Sequence, residues 1–165
     1  MEVVAWGPLP GFVGVTVRRA TASDLPELVA LLADDPLGGA RESAGEGLEP
    51  YARAFALVDA DPAHLLVAVQ DVDDVVGTLQ LSFLPGLSRR GAQRAQIEGV
   101  RIRADRRGGG LGEALVRWAL AEAGRRGCAL IQLTTDRSRP EAHRFYEGLG
   151  FRPSHVGYKL VVDGS

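Results

Sequence analysis

The stretch best placed to do chemistry is Arg106-Arg107-Gly108-Gly109-Gly110-Leu111-Gly112, and the chemistry is the binding of an anion. The preceding residues, Gln96 to Arg103, end in apolar–polar alternation with β-branched Ile97, Val100 and Ile102, which predicts a strand. The following Leu111, Ala114, Leu115, Trp118 and Ala119 fall at the spacing of one helix face. At a strand-to-helix junction the first helical N–H groups have no intrahelical acceptor, and the macrodipole leaves about half a positive charge there. Glycine lets backbone approach the anion closely, so phosphate is the natural guest. A P-loop is excluded, because it needs Gly-Lys-Ser/Thr and the sole lysine of the chain is Lys159. A dinucleotide fingerprint fits the strand–turn–helix–strand context, with Asp136 as a ribose ligand. However, Glu113 and Leu115 stand where the third glycine belongs, and only about thirty residues follow Asp136.

A third pattern, Arg/Gln-x-x-Gly-x-Gly/Ala, is met by Arg107-Gly108-Gly109-Gly110-Leu111-Gly112. Some thirty residues later, Arg139-Pro-Glu-Ala-His-Arg-Phe-Tyr-Glu-Gly-Leu-Gly-Phe151 follows Asn-x-x-Ala-x-x-Phe-Tyr-x-x-x-Gly-Phe, with Arg139 in place of Asn. In these two motifs, their order and their separation, the chain resembles the GNAT superfamily of acyl-CoA-dependent N-acetyltransferases, sharply over about 96–151 and by order of elements over roughly 15–161. The resemblance implies that acetyl-CoA is the cosubstrate and that the backbone of Gly108, Gly109, Gly110, Leu111 and Gly112, with Arg107, holds its pyrophosphate. Ile102 is matched to the strand residue whose backbone meets the pantetheine and acyl carbonyl, with Val100 beside it, and Arg139 takes the place of the family's pantetheine contact. Tyr146 matches the tyrosine near the thioester sulfur. A neutral phenol of pKa about 10 is a fair donor to a departing thiolate.

For a base, Glu98 is the best-placed carboxylate by sequence. On the central strand it shares a face with Val100 and Ile102, so if that face borders the cleft all three do, and Glu98 could take the amine's proton directly or through water. Its structural competitor is an exposed or arginine-paired strand carboxylate. His64, His143 and His155 have no metal-ligand spacing among themselves or with Cys128, so no metal is expected. Cys128 lies between Gly127 and an apolar strand and reads as a small buried hydrophobe.

The elements that must position these groups follow from pattern. Residues 1–13 read as an irregular leader before a single domain over 14–165. Val13 to Arg19 predicts a strand. Thr21 to Asp24 caps a helix with Leu25, Leu28, Val29, Leu31 and Leu32 on one side, and Leu48 to Ala60 a second helix. His64 to Gln70 and Val75 to Phe83 predict an antiparallel pair about a turn at Asp71 to Asp74. After the glycine loop and its helix come a strand at Ala129 to Thr134, a helix opened by Pro140 and closed at Gly150, and a last strand at Val156 to Val162. This order resembles the GNAT α/β fold: one mixed sheet, antiparallel in its first half, parallel around the cofactor, flanked by helices.

Composition limits the alternatives. A chain of 165 residues, 45% apolar and 24% charged, has the ordinary make-up of one globular domain. A net charge of −2 argues against nucleic-acid partners, although Arg89, Arg90, Arg94, Arg101, Arg103, Arg106 and Arg107 cluster as if several face an anionic ligand. The start lacks the basic region and continuous apolar core of a signal peptide, no stretch has the length of a membrane span, and the lone cysteine suits a reducing compartment, so a cytoplasmic protein is expected. The expected activity is direct acetyl transfer to a small-molecule primary amine in a ternary complex. Its competitor is a non-catalytic acyl-CoA-binding regulatory module. The resemblance also makes a homodimer an open assembly state.

Overall fold

The computed structural model describes residues 5–34, Gly39 and residues 47–162. Six strands, β1 (Ala5–Pro8), β2 (Val15–Arg19), β3 (His64–Asp71), β4 (Asp74–Leu84), β5 (Arg94–Ile102) and β6 (Leu130–Leu133), lie in one sheet in chain order. Every neighbouring pair is antiparallel except β5 and β6, which are parallel. A hairpin can join only antiparallel strands, so the parallel pair requires the crossover helix that lies between them in sequence. The helices are α1 (Leu25–Ala33), α2 (Glu49–Ala60), the single turn α3 (Ser88–Gly91), α4 (Leu111–Arg125) and α5 (Pro140–Gly148). Among the described residues no helix is long and apolar enough to cross a membrane.

Two apolar clusters divide the faces of the sheet. Leu115, Val116, Ala119 and Ala123 of α4 pack with Leu79, Leu81, Ala95 and Ile97, while α1 and α2 bring Leu28, Leu31 and Phe55 against Ala68, Leu66 and Val75. β4 is therefore covered on both sides, and Val75 to Leu79 are buried without a break instead of showing the alternation expected of a half-exposed strand.

The first half of the fold is tied together by Arg18. Its guanidinium donates to both carboxylate oxygens of Asp24 at 2.7 Å and to Gln70 Oε1 at 2.6 Å, while Asp24 accepts from the Thr21 backbone N–H at the start of the helical segment. Burial opposes ionisation of Asp24, but the bonds from Arg18 and Thr21 outweigh it and hold the carboxyl below its ordinary range. The contribution of Asp24 is therefore full above the ordinary aspartate pKa and lost as pH falls through the depressed one. Asp24→Asn is expected to cost about 3 kcal/mol at pH 7, because it strands a largely buried guanidinium. In urea unfolding the deficit against wild type should disappear at the acid end of that window.

Two expectations about the ends of the chain need correction. The leader is not irregular throughout: Ala5–Pro8 forms β1 and Leu9 is buried, with residues 1–4 outside the described residues. Val156 to Val162 does not form the expected last strand: the segment lies outside the six-stranded sheet, and its side chains are exposed. Alternation gives a chain the capacity for a strand, but only a neighbour that accepts its backbone hydrogen bonds makes it one.

Candidate active site

The site opens where the two parallel strands part. β6 pairs with β5 from Arg94↔Leu130 to Ile97↔Leu133, and β5 continues five residues beyond the last of these pairs, to Ile102. On its other side β5 carries a bulge: Gln80 of β4 faces Glu98, whereas Thr78 faces Arg101, so three residues of β5 are spent against two of β4. Gly99 sits in this bulge at φ +61, a backbone conformation that glycine adopts without penalty.

The bulge overturns the expected shared face of Glu98, Val100 and Ile102. Side chains alternate along a strand, and one inserted residue reverses the alternation beyond it. Ile97 before the bulge, and Val100 and Ile102 after it, all pack on the α4 side, while Glu98 is exposed on the α1/α2 side opposite Gln80. Gly99 also borders a small apolar recess of about 150 Å³ on that side, lined by Leu28, Leu32, Tyr51, Phe55 and Gln80 among others. Glycine inside a predicted strand is itself a bulge signal, so Gly99 was the residue that could have revealed this geometry.

On the opposite side of the bulge is a cleft of about 680 Å³. Its lining brings together Val100, Arg101 and Ile102 of β5, Arg107, Gly108, Gly110 and Gly112 of the loop, and Arg139, Ala142, Phe145 and Tyr146 from the start and body of α5. Asp34, Glu113 and Glu141 complete it. The loop is built for backbone approach: Gly108 and Gly110 have φ of +78 and +84, and Gly110 caps α4 while its carbonyl accepts from Ala114 N–H. A Cβ at Gly108 or Gly109 would meet nothing, so both are open backbone. Leu111 turns its side chain into the core at 2% exposure, which leaves only its N–H for a ligand. Ile102 is held close because Gly77 lacks a side chain; a Cβ there would stand 2.8 Å from Ile102 Cδ1.

Arg107 is engaged across the cleft's edge. Its Nε donates to the Ile102 carbonyl at 2.8 Å, and its Nη2 donates to the Asp34 carbonyl and carboxylate, both at 2.8 Å. The clustered arginines divide accordingly. Arg103 pairs with Asp74 and Asp105, and Arg106 with Asp71, so these fasten loops, while Arg101 and Arg107 line the cleft together with Arg139. Arg101 Nη1 donates to the Val100 carbonyl at 2.8 Å. A carbonyl oxygen has two lone pairs, so Val100 and Ile102 each keep one for a ligand.

Tyr146 is half-buried, in edge contact with Phe145 at 5.0 Å and Phe151 at 5.8 Å between ring centroids. Phe145 and Tyr146 both line the cleft. Burial pushes the Tyr146 phenol above its ordinary pKa, against the pull of Arg139 and Arg101. His143 is spent on a contact to the Asp136 carbonyl at 2.9 Å. Cys128 packs beside the core, and burial pushes its thiol up, which suits an inert residue. Among the described residues no group of three or more histidine, cysteine or acidic side chains is placed to hold a metal ion.

Similarity to other proteins agrees with this geometry. Residues 25–151 match the acetyltransferase (GNAT) family. The chain is 29% identical over 147 residues to the aminoalkylphosphonate N-acetyltransferase of Salmonella typhimurium, covering 88% of this chain and 90% of that one. Among solved structures, a protein of Bacillus halodurans C-125 described as a transcriptional regulator superposes with a TM-score of 0.86 at 48% identity, over 90% of this chain and 99% of that one. A protein of Agrobacterium tumefaciens C58, described as an acetyltransferase, superposes with a TM-score of 0.74 at 30% identity, over 88% and 99%. Because the family match covers residues 25–151, most of the sequence, the chain belongs to the acetyltransferase (GNAT) family.

Proposed function

We propose that the protein transfers an acetyl group from acetyl-CoA directly to a small primary amine in a ternary complex. The observation that carries this is the meeting of the glycine-capped N-terminus of α4 and the Tyr146 ring in one cleft, so that a diphosphate and the far end of its thioester arm have receptors in a single groove. Backbone N–H groups from Gly108 to Gly112 hold the pyrophosphate, with Arg107 fixing the loop to Ile102 and Asp34. The Val100–Ile102 backbone lies along the arm, and Arg139 flanks it. The bulge at Gly99 takes backbone out of one-to-one pairing where the acyl carbonyl would sit, which suits an oxyanion donor. The amine nitrogen attacks the thioester carbon, the C–S bond breaks, the thiolate takes the Tyr146 proton, and the proton lost by the acylated nitrogen returns through water to Tyr146.

The acceptor enters from the α1/α2 side, where Glu98 and the apolar recess flank the bulge. The Salmonella relative makes aminoalkylphosphonates the first acceptors to try. The single cysteine, Cys128, forms no disulfide within the chain, which supports a reducing, cytoplasmic setting. The test is thiol release from acetyl-CoA over a panel of amines that includes aminoalkylphosphonates, amino acids and aminoglycosides. Amine-dependent release is expected; a protein that binds acetyl-CoA yet releases no thiol with any amine would contradict the reading.

Glu98 is the proposed base, acting through water. An aliphatic amine of pKa about 10 is almost wholly protonated at pH 7, so its proton must go elsewhere before attack. Glu98→Gln is expected to lower kcat/KM about 10-fold at pH 7, since solvent near an exposed carboxylate still accepts protons, and raising the pH should recover part of the loss. A glutamine variant with wild-type apparent pKa and plateau would remove Glu98 from the chemistry.

A further inference from the structure

The recess on the α1/α2 side of the bulge shares no lining residue with the cleft, yet the two meet β5 at successive residues, Gly99 and Val100. It has a volume of about 150 Å³ and is walled by Leu25, Leu28 and Leu32 of α1, Phe55 and Val58 of α2 and Leu66 of β3. Among the described residues no charged side chain lines it. Thr78 at its floor already donates its hydroxyl proton to the Val67 carbonyl at 2.9 Å, and Gln80 stands opposite Glu98. Leu32, Phe55 and Val58 are half-buried and Gly99 is exposed, so the walls do not seal it. The missing side chain of Gly99 keeps the bulge end clear, since a Cβ there would stand 3.9 Å from Leu32 Cδ2.

We infer, on the acetyl-transfer reading, that this recess seats the substituent of the acceptor, which is a primary amine carrying an uncharged apolar group about the size of a benzene ring. The size follows from the volume, because an apolar cavity of about 150 Å³ admits benzene. The tether follows from the strand. Gly99 and Val100 are separated by a rise of about 3.3 Å, so about two carbons join a nitrogen at the bulge, beside Glu98, to a group in the recess. The absence of charge follows from the walls. A phosphonate or carboxylate entering them would give up its water and find no cation, whereas an apolar group is stabilised by leaving water.

In the thiol-release assay, wild-type kcat/KM with 2-cyclohexylethylamine is expected to exceed that with ethylamine, and that with 2-aminoethylphosphonate, at least about tenfold. The saturated ring leaves the basicity of the nitrogen unchanged, so the first ratio reads the burial of the ring. Ala54→Leu fills the recess from an exposed position of α2 and should cut both ratios at least about fivefold, chiefly through KM for the ring amine. Leu32→Arg puts a cation into the recess from the last turn of α1, where the helix dipole favours it, and should shift preference towards the phosphonate. Circular dichroism checks that each variant folds, and either one alone suffices. A wild type that uses ethylamine or the phosphonate as well as the ring amine overturns the inference and leaves acetyl transfer standing. So does a ring preference that survives in a folded variant, since the ring then lies elsewhere. Thiol release with no amine at all overturns the transfer itself, and the acceptor class with it.

Discussion

Tyr146→Phe is expected to leave acetyl-CoA affinity within about twofold of wild type and to lower kcat by roughly 10²–10⁴-fold, the usual worth of a placed general acid. The substitution keeps the ring, and with it the edge contacts to Phe145 and Phe151, so only the hydroxyl is tested. The donor must be protonated when the C–S bond breaks. Because burial raises the phenol's pKa, Tyr146 stays neutral at every pH below the ordinary tyrosine value, and the loss of activity that reports its ionisation falls above about pH 10. The stability linkage has the same sign: a proton held more tightly in the folded state than in the unfolded chain stabilises the fold at lower pH, and that contribution is lost as pH rises through the raised pKa. Titration calorimetry with acetyl-CoA and steady-state kinetics across pH separate the two roles. Wild-type kcat in the phenylalanine variant would make Tyr146 a packing residue only.

The parts of the site that rest on local backbone chemistry were legible in the sequence. The glycine loop needs only N–H groups at a strand-to-helix junction, and it stands where the pattern put it, with Gly110 as the cap of α4. Pro140 opens α5 and a positive-φ Gly150 follows its end, as their types require. Tertiary pairing was not legible. Arg106 meets Asp71 across 35 residues and Arg103 meets Asp74 across 29, so a cluster that reads as a ligand surface is largely spent on fastening loops. Asp34 reaches the cleft from the end of α1, and nothing in its neighbours in sequence marks it as a contact of Arg107. The face of Glu98 was misassigned because period-2 reasoning counts residues, and a single bulged residue reverses every position after it. That error moves Glu98 from the α4 side to the side of α1 and α2, which leaves the base reading with the acceptor and removes it from the acetyl-CoA side.

Gly110→Asp is expected to abolish measurable acetyl-CoA binding, at least a 100-fold loss. The argument has a steric part and an electrostatic part. Gly110 has φ +84, so any L-residue there is strained, and its Cβ would sit 3.9 Å from Phe12 Cζ, in contact without collision. The strain costs the fold about 1–2 kcal/mol, and aspartate bears this conformation better than most residues, so the variant should remain folded. Its carboxylate, however, lies at the helix N-terminus, where the free N–H groups and the dipole attract it as they would attract a phosphate. It therefore takes up the donors intended for the ligand and repels the ligand's charge. Gly110→Ala shares the strain without the charge and should lose much less affinity. Added salt should narrow the gap between the two variants, because screening weakens repulsion and leaves strain unchanged. In thermal unfolding, ligand at 100 times its Kd adds about 2.7 kcal/mol to the wild type, a rise of about 5–10 °C in Tm for a chain of this size, and the aspartate variant should show none of it. An aspartate variant that binds acetyl-CoA as wild type does would place the pyrophosphate away from this loop.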